Sequence, residues 1–427
     1  MKIPSEKIQE YNKTVEDTHR ESFEPLANRL DKKGYDVDAL LQEIASFQVA
    51  IPSWALGAGG TRFGRFPIGG EPGTLKEKIE DIGLLHALNR SSGAVSLHIP
   101  WDIPEDAGAI KSLADELDIS FDAVNSNTFQ DQEDQEYSYK FGSLDHTDKS
   151  FREQAVEHNI EVIRYGEQLG SKALTVWLAD GASFPGQNNF KKAFKRTLDS
   201  FEQIYSALPD DWEMLIEYKP FEPNFYSMVV PDWGTSYLFA SKLGDQAQTL
   251  VDLGHHLPNT NIEQIVATLI MENKLGGFHF NDSKYGDDDL TAGSIKPYQL
   301  FLIFNELVDG VDESESMHGK WSWMIDASHN IKDPLEDLLQ SVEAIKSAYA
   351  KALLIDRPAL EEAQGSNDPV MAQELLQDVF RTDVRPLLRE ARIRNQAAVH
   401  PIQLYRKLGV REQLVDERGT ETIATGL

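Results

Sequence analysis

The sequence predicts an α/β fold, a (β/α)8 TIM barrel with N-terminal helices and a C-terminal helical extension. Eight short apolar or β-branched runs alternate with amphipathic stretches, most of them long enough for a helix. Nearly every run also ends in a residue that is capable of chemistry. A doubly wound open sheet would show the same alternation, but it would spread these strand ends along a line. A barrel gathers them on one face, where a common site can form, and we therefore favour the barrel.

The elements follow in chain order within three segments, residues 1–46, 47–330 and 331–427. Residues 5–45 are polar with apolar residues at helical spacing, which predicts two helices before the barrel. The runs suit buried parallel strands because they are nearly continuous in apolar residues. The eight predicted strands are Phe47–Trp54, Val95–Trp101, Ile119–Asn125, Ala173–Leu178, Met214–Lys219, Thr249–Leu253, Gly277–Asn281 and Trp321–Ile325. Helices predicted between them include Phe151–Leu169, Phe190–Leu208, Tyr237–Leu243 and Ile262–Lys274.

The segment after the eighth strand has no further strand pattern. It predicts charged helices over Pro334–Leu354 and Pro369–Arg392, with frayed residues from Val415 to Leu427. An apolar stripe on such helices must be covered, so we expect them to pack on the outside of the barrel and to contact a neighbouring subunit.

Composition excludes several classes of function. The net charge of −29 over 427 residues repels phosphate backbones, so nucleic acid is not an expected partner. Cysteine is absent, which excludes disulfides, iron–sulfur clusters, thiolate zinc sites and cysteine nucleophiles. No apolar run is long enough for a bilayer, and the first residues lack the apolar stretch of a secretory signal. We therefore expect a cytoplasmic protein without a membrane partner.

Several strand ends carry metal-ligating side chains. Asp252 and His255 come just past the sixth run and can be aimed at one point. His279 lies inside the seventh run, where an unpaired imidazole would be costly. In the loop that follows, Asp287 and Asp289 would face one centre if the chain is extended, because alternate side chains share a direction. A solvated turn is the ordinary explanation of three successive aspartates, but a cation would relieve their mutual repulsion.

Two further acids complete the candidate set. Glu217 ends the fifth run and Asp326 ends the eighth, and buried carboxylates are rare unless they are paired or bind a metal. The candidate ligands are Glu217, Asp252, His255, His279, Asp287, Asp289 and Asp326. Seven ligands exceed what one ion takes, so two ions with a bridging carboxylate are expected. Oxygen and imidazole donors without sulfur favour Mn²⁺, with Co²⁺ or Mg²⁺ possible, over Zn²⁺.

The remaining strand ends predict a sugar pocket. Aromatic faces pack against the C–H faces of sugars, while His98 and Lys219 can bind hydroxyls. Three of the seven tryptophans fall at strand ends, which argues against core packing for all three. The aromatic candidates are Trp54, Phe63, Trp101, Phe129 and Trp177.

These stretches resemble the L-rhamnose isomerases, in particular the broad-specificity Pseudomonas type of the xylose-isomerase-like superfamily. The resemblance covers about residues 40–400, and it implies a homotetramer, two Mn²⁺-type ions per subunit and conversion of L-rhamnose to L-rhamnulose by a hydride shift. The matching stretches are Val49–Trp54, Gly59–Phe63, Ser96–Trp101, Asn125–Phe129, Leu174–Trp177, Val251–His256, Gly276–Asp289 and Met324–Asn330. One departure is Ala327, where the family pattern has Gln.

The resemblance also implies residue roles. It places Glu217, Asp252, His279 and Asp326 at a first, substrate-binding ion, and His255, Asp287 and Asp289 at a second, with Asp252 bridging. It places Trp54, His98, Trp101, Phe129, Trp177 and Lys219 around the sugar, and Phe63 in the site of a neighbouring subunit. Catalytic roles fall to Asp326, Lys219 and His98.

Alternatives remain open from the sequence. Hydrogen transfer can follow a hydride shift or an enediol route. A metal-dependent endonuclease or phosphatase is a second hypothesis, which the charge of −29 disfavours. A sugar-binding protein without catalysis is a third, and it would gain nothing from seven metal ligands. Among rhamnose, mannose, lyxose and allose the sequence does not choose.

Overall fold

The computed structural model describes residues 2–57, 66–133, 135–311, 319–327, 329 and 331–421. Eight parallel strands close into a barrel in which each strand pairs with its neighbours in chain order and β1 pairs with β8. The strands are β1 (Ala50–Pro52), β2 (Ala94–His98), β3 (Ser120–Asn125), β4 (Ala173–Val176), β5 (Glu213–Glu217), β6 (Ala247–Asp252), β7 (Leu275–Phe280) and β8 (Ser322–Ile325). The predicted barrel is confirmed, and the open sheet is excluded because the pairing of Ala50 with Met324 closes the circle.

Fifteen helices surround the barrel in the described ranges. They are α1 (Ser5–Lys32), α2 (Val37–Ser46), α3 (Leu75–Asn89), α4 (Ala107–Glu116), α5 (Lys149–Leu169), α6 (Phe190–Tyr205), α7 (Trp233–Leu243), α8 (Ile262–Met271), α9 (Pro297–Asp309), α10 (Pro334–Ala352), α11 (Arg357–Gly365), α12 (Pro369–Arg381), α13 (Arg385–Arg394), α14 (Pro401–Lys407) and α15 (Val410–Arg418). Many begin at an N-cap residue whose side chain accepts a hydrogen bond from a backbone N–H of the first turn. Asp148 caps α5 in this way, and Thr74 caps α3. None of them, within these ranges, has the length and apolar content to cross a bilayer.

Most boundaries differ from the sequence prediction by a few residues, and three of the differences have a clear cause or consequence. The first strand ends at Pro52, because Ser53–Ala55 form a 3₁₀ turn. The predicted helix Pro369–Arg392 is two helices, α12 and α13, because Pro386 lacks an N–H and cannot continue a helix from α12. Fraying from Val415 is wrong for the next residues, since α15 continues to Arg418. Residues 422–427 lie outside the described part.

The barrel is a packed core rather than a pore. Small and medium side chains from seven of the eight strands meet at its centre, namely Ala50, Ala94, Ala123, Ala173, Leu215, Leu250 and Met324. A second apolar cluster joins the two ends of the chain outside the barrel, and it includes Leu30 and Ile44 from α1 and α2 with Leu387 from α13. Helices from the predicted N-terminal and C-terminal segments thus pack against each other outside the barrel.

Candidate functional site

Four side chains from consecutive strands converge at the carboxyl end of the barrel. Glu217 ends β5, Asp252 ends β6, His279 lies in β7 and Asp326 follows β8. One ligating atom of each lies within 4.8 Å of those of the other three. His279 Nδ1 is 3.1 Å from Glu217 Oε1, 3.8 Å from Asp252 Oδ2 and 3.9 Å from Asp326 Oδ2. Parallel register produces this cluster, since Asp252 and His279 are direct partners across β6 and β7.

Burial and mutual charge shift every group in this cluster. Burial acts to lower the pKa of His279, but the charges of Glu217, Asp326 and Asp252 outweigh it and raise that pKa to about 9. Burial raises the pKa of Asp252 to about 6 against the lowering effect of His255. Burial also raises the pKa of Asp326. Glu217 is the exception: burial acts to raise its pKa, yet the two imidazoles hold it far below its usual range.

The donors of this cluster fit a divalent cation. Asp252 Oδ1 accepts hydrogen bonds from Gly254 N at 2.7 Å and from Asn281 Nδ2 at 2.9 Å. Its Oδ2 is buried, has no hydrogen-bond donor among the described residues, and faces His255 and His279. A buried carboxylate oxygen without a donor costs free energy, and a cation would remove that cost. The cluster can therefore hold a metal ion.

A second group lies beside the first. His255 Nδ1 is 2.9 Å from Tyr218 O and 3.2 Å from Glu217 Oε1, and its Nε2 is 3.0 Å from Asp287 Oδ1. Asp287 Oδ2 lies 2.5 Å from Lys219 Nζ. Asp289 is buried and lines the same cavity as these residues. Two members of the second predicted ligand group, His255 and Asp287, are thus in contact, with Lys219 touching the carboxylate, while Asp289 lines the same cavity.

The three successive aspartates divide as expected, but for a different geometric reason. Asp287 and Asp289 are buried, whereas Asp288 is half-buried and accepts hydrogen bonds from Lys284 N and Tyr285 N. The backbone is not extended: φ is 51° at Asp287 and 49° at Asp289. Left-handed conformations, which Asp tolerates better than most residues, turn both carboxylates inward.

A cavity of about 520 Å³ opens above these groups. Six of the seven candidate ligands line it, while Asp252 lies behind them. Its wall contains Trp54, His98, Trp101, Phe129, Trp177 and Lys219. All the substrate-pocket candidates within the described residues therefore meet here; Phe63 lies outside the described residues.

The aromatic wall is in continuous contact. His98 stacks on Trp101 with ring centroids 4.0 Å apart, Phe129 lies 5.6 Å from His98, and Trp177 lies 4.7 Å from Phe129. Trp54 Nε1 donates to Asp326 Oδ1 at 2.8 Å, so the wall is bonded to the acidic floor. Burial lowers the pKa of His98 to about 3, which keeps its imidazole neutral.

Sequence reasoning missed one side of the cavity. The segment between β3 and α5 contributes Gln130, Asp131, Tyr139 and Lys140, and Glu222 after β5 pairs with Lys219. The available signal was the length of that segment, because long loops at the carboxyl face of a barrel commonly build the site.

Known proteins share this architecture. Residues 89–311 match the family described as xylose isomerase-like TIM barrel. A probable sugar isomerase of Rhizobium meliloti is 54% identical over 408 residues, covering 95% of this chain and 94% of that protein. A probable sugar isomerase of Mesorhizobium japonicum is 51% identical over 428 residues, covering 99% and 98%.

Solved structures are similar in fold alone. An L-ribulose 3-epimerase has a TM-score of 0.51 at 14% identity, covering 73% of this chain and 98% of its own. A 3-keto-D-glucoside 4-epimerase from E. coli has a TM-score of 0.51 at 11% identity, covering 70% and 99%. With the family match over residues 89–311 and two relatives above 50% identity along nearly the whole chain, this protein belongs to the xylose isomerase-like TIM-barrel family.

Proposed function

We propose that this protein is a metal-dependent aldose–ketose isomerase that interconverts L-rhamnose and L-rhamnulose and accepts other aldoses. The observation that carries the proposal is the meeting of Glu217, Asp252, His279 and Asp326 within 4.8 Å below a wall of aromatic side chains. The relatives described as probable sugar isomerases support the reaction class. The motifs shared with L-rhamnose isomerases support the choice of sugar.

The ligand assignment is part of the proposal. Glu217, Asp252, His279 and Asp326 would hold one ion, and His255, Asp287 and Asp289 would hold a second with Asp252 bridging. Bound divalent ions supply Lewis acidity to the hydroxyl and carbonyl oxygens of a sugar. A donor set of carboxylates and imidazoles suits Mn²⁺, and Co²⁺ or Mg²⁺ would also fit.

The side chains of the chain orient the sugar and move its protons. Trp54, Trp101 and Trp177 would cover the C–H faces of the sugar and exclude water. Because the imidazole of His98 is neutral, it can both accept and donate hydrogen bonds with hydroxyls. Lys219 Nζ lies 5.0 Å from the Trp177 ring centroid, on the acidic side of the cavity, where it can donate to O1.

The reaction breaks the C2–H bond and forms a C1–H bond, while the proton on O2 is lost and O1 gains one. In the route that we favour, hydrogen passes from C2 to C1 as hydride within the sugar. Asp326 would accept the O2 proton. Its Oδ1 is already held by Trp54, which orients the carboxylate toward the cavity.

Product analysis tests the proposal. Purified protein with Mn²⁺ is incubated with rhamnose, mannose, lyxose and allose, and the matching ketoses are expected, with rhamnose the fastest. Full activity after chelation would refute the metal-dependent reaction, and formation of an epimer instead of a ketose would refute the isomerase. In ²H₂O, deuterium at C1 of the ketose formed from the aldose would favour the enediol route over the hydride shift.

A further inference from the structure

A fully buried ion pair lies behind the aromatic wall. Lys78 on α3 and Asp102, four residues beyond the end of β2, are 0% and 1% exposed. Lys78 Nζ is 2.7 Å from Asp102 Oδ1. Neither residue lines the cavity. An explanation is needed, because two charges far from water incur a large desolvation cost.

Asp102 joins the ends of two strands. Its Oδ2 accepts a hydrogen bond from His98 N at 2.8 Å and another from the hydroxyl of Ser53. Ser53 precedes Trp54, and Asp102 itself follows Trp101. One carboxylate thus holds the backbone beside three residues of the wall.

The same contacts set the wall against the acidic floor. Trp54 Nε1 reaches Asp326 Oδ1 at 2.8 Å, and the Trp54 ring lies 5.6 Å from that of His98. A shift at Ser53 or at the His98 backbone would change both distances. The stability of the fold does not by itself explain the buried pair of Lys78 and Asp102. Replacing a buried ion pair by apolar residues is often neutral or stabilising.

We propose that Asp102, with its charge balanced by Lys78, is a positioning residue that fixes Trp54 and His98 relative to Asp326 and thereby sets the affinity for the sugar. This inference rests on the proposed function, and it goes beyond it by assigning a role to two residues that do not touch the substrate. The carboxylate of Asp102 accepts from His98 N and Ser53 Oγ together, while its other oxygen contacts Lys78 Nζ.

The test compares the wild type with the double variant Lys78→Met/Asp102→Leu, which removes both charges and both acceptors. Because the displaced rings of the wall contact the sugar, the KM for the best aldose should rise about 10-fold. The Kd of L-rhamnitol, which has no carbonyl and cannot react, should rise by a similar factor in calorimetry. The Kd of Mn²⁺ should stay within about 2-fold, since no ligand is altered.

Two further variants separate positioning from folding. The single variant Lys78→Arg keeps a positive charge beside Asp102. Its KM and its Kd for L-rhamnitol should therefore stay near the wild-type values. Arg392→Met removes another buried cation, which lies 2.5 Å from Glu343 on the outer helices and does not line the cavity. It should lower the midpoint of thermal unfolding and leave the KM unchanged.

The outcomes distinguish this inference from the proposed function. Wild-type KM and L-rhamnitol Kd in the double variant would overturn the positioning role while the isomerase stands. A wild type that isomerises no aldose yet binds L-rhamnitol more tightly than the double variant would overturn the isomerase and leave the positioning role. A wild type that neither isomerises an aldose nor binds L-rhamnitol would overturn both.

Discussion

At the scale of single residues, the sequence indicates which side chains can bind a metal or a sugar. It does not indicate which atoms of other residues they contact. His279 was singled out because an imidazole in an apolar strand needs a partner, and three carboxylates surround it. Which oxygen of Asp252 stays without a donor depends on Gly254 and Asn281, which only the folded chain brings there. The ligand roles themselves remain predictions.

Substitution of Glu217 tests the metal site most directly. Its Oε1 lies between His255 Nδ1 at 3.2 Å and His279 Nδ1 at 3.1 Å. Glu217→Gln should weaken Mn²⁺ binding by at least about 100-fold and abolish isomerisation, because outer partners of a metal alone are worth ~10–100-fold. Calorimetric titration with Mn²⁺ measures the first effect.

Asp288→Asn is the matched control for Glu217→Gln. It removes the negative charge of Asp288, which lies next to the predicted ligands Asp287 and Asp289. The Asp288 carboxylate accepts two backbone hydrogen bonds and is not a predicted ligand. Mn²⁺ affinity and turnover should stay near the wild-type values. If Asp288→Asn weakens the metal as much as Glu217→Gln does, net charge rather than ligation controls binding.

Trp54 should matter through its indole N–H as well as its ring. Trp54→Phe keeps an aromatic ring but removes the hydrogen bond to Asp326 Oδ1. Because a hydrogen bond to a charged group is worth about 1.5–3 kcal/mol, kcat/KM should fall at least about 10-fold. Steady-state kinetics checks this, and an unchanged kcat/KM would mean that Asp326 needs no orienting donor.

At the scale of elements, strand order was predictable and junctions were not. The runs of apolar residues predicted all eight strands, but the 3₁₀ turn at Ser53–Ala55 depends on contacts beyond β1. The segment between β3 and α5 also has no periodic pattern. It is tied to the end of β4, where Asp180 accepts hydrogen bonds from Ser143 N at 2.8 Å and Asp145 N at 2.9 Å.

Asp145 makes this connection sensitive to pH. Burial, together with the adjacent charge of Asp180, raises the pKa of Asp145 to about 8, whereas an aspartate in the unfolded chain titrates near about 4. The folded chain therefore binds more protons between these values, and the stabilisation is complete below about pH 4 and lost as the pH rises through about 8. Loop and strand should separate more readily in alkali.

Asp145→Asn should remove this dependence. The amide stays neutral, so the midpoint of thermal unfolding of the variant, relative to the wild type, should be higher at pH 8 than at pH 5. Differential scanning calorimetry at both values measures it. Asp106→Asn, at the exposed N-cap of α4, should show no such difference. If the unfolding midpoints of Asp145→Asn and the wild type differ by the same amount at pH 5 and pH 8, the raised pKa of Asp145 is contradicted.

At the scale of the whole molecule, large apolar side chains surround the mouth of the cavity. Isolated exposed apolar residues are ordinary, but many of them around one cavity indicate a contact surface. Every segment that follows a barrel strand contributes at least one, namely Phe66, Ile68, Ile103, Phe141, Phe184, Phe221, Tyr226, Leu257, Tyr285, Leu290, Ile295 and Ile331. This rim supports the homotetramer that the resemblance to L-rhamnose isomerases implies, with a neighbouring chain near the cavity.

Leu257 and Met271 test the assembly. Leu257, 63% exposed, lies on the rim, whereas Met271, 70% exposed, ends α8 at the opposite face of the barrel. Leu257→Glu should weaken the oligomer because a buried unpaired charge at an interface is costly. Met271→Glu should leave it intact. Analytical ultracentrifugation measures the mass, and a wild type at 48.0 kDa would refute the oligomer.

The sequence by itself determined the barrel and many of the side chains that meet at its carboxyl end. Apolar runs predict strands because burial on both faces demands them, and parallel strands bring their carboxyl ends to one face, so the chemical residues at eight run ends had to meet. Only the tertiary structure decided which atoms face each other. The inward turn of Asp287 and Asp289 comes from left-handed backbone, and the link from Lys78 through Asp102 to His98 joins a helix to a strand end. Such contacts depend on distances between helices and strands in the folded chain. The spacing of residues along the sequence does not reveal these distances.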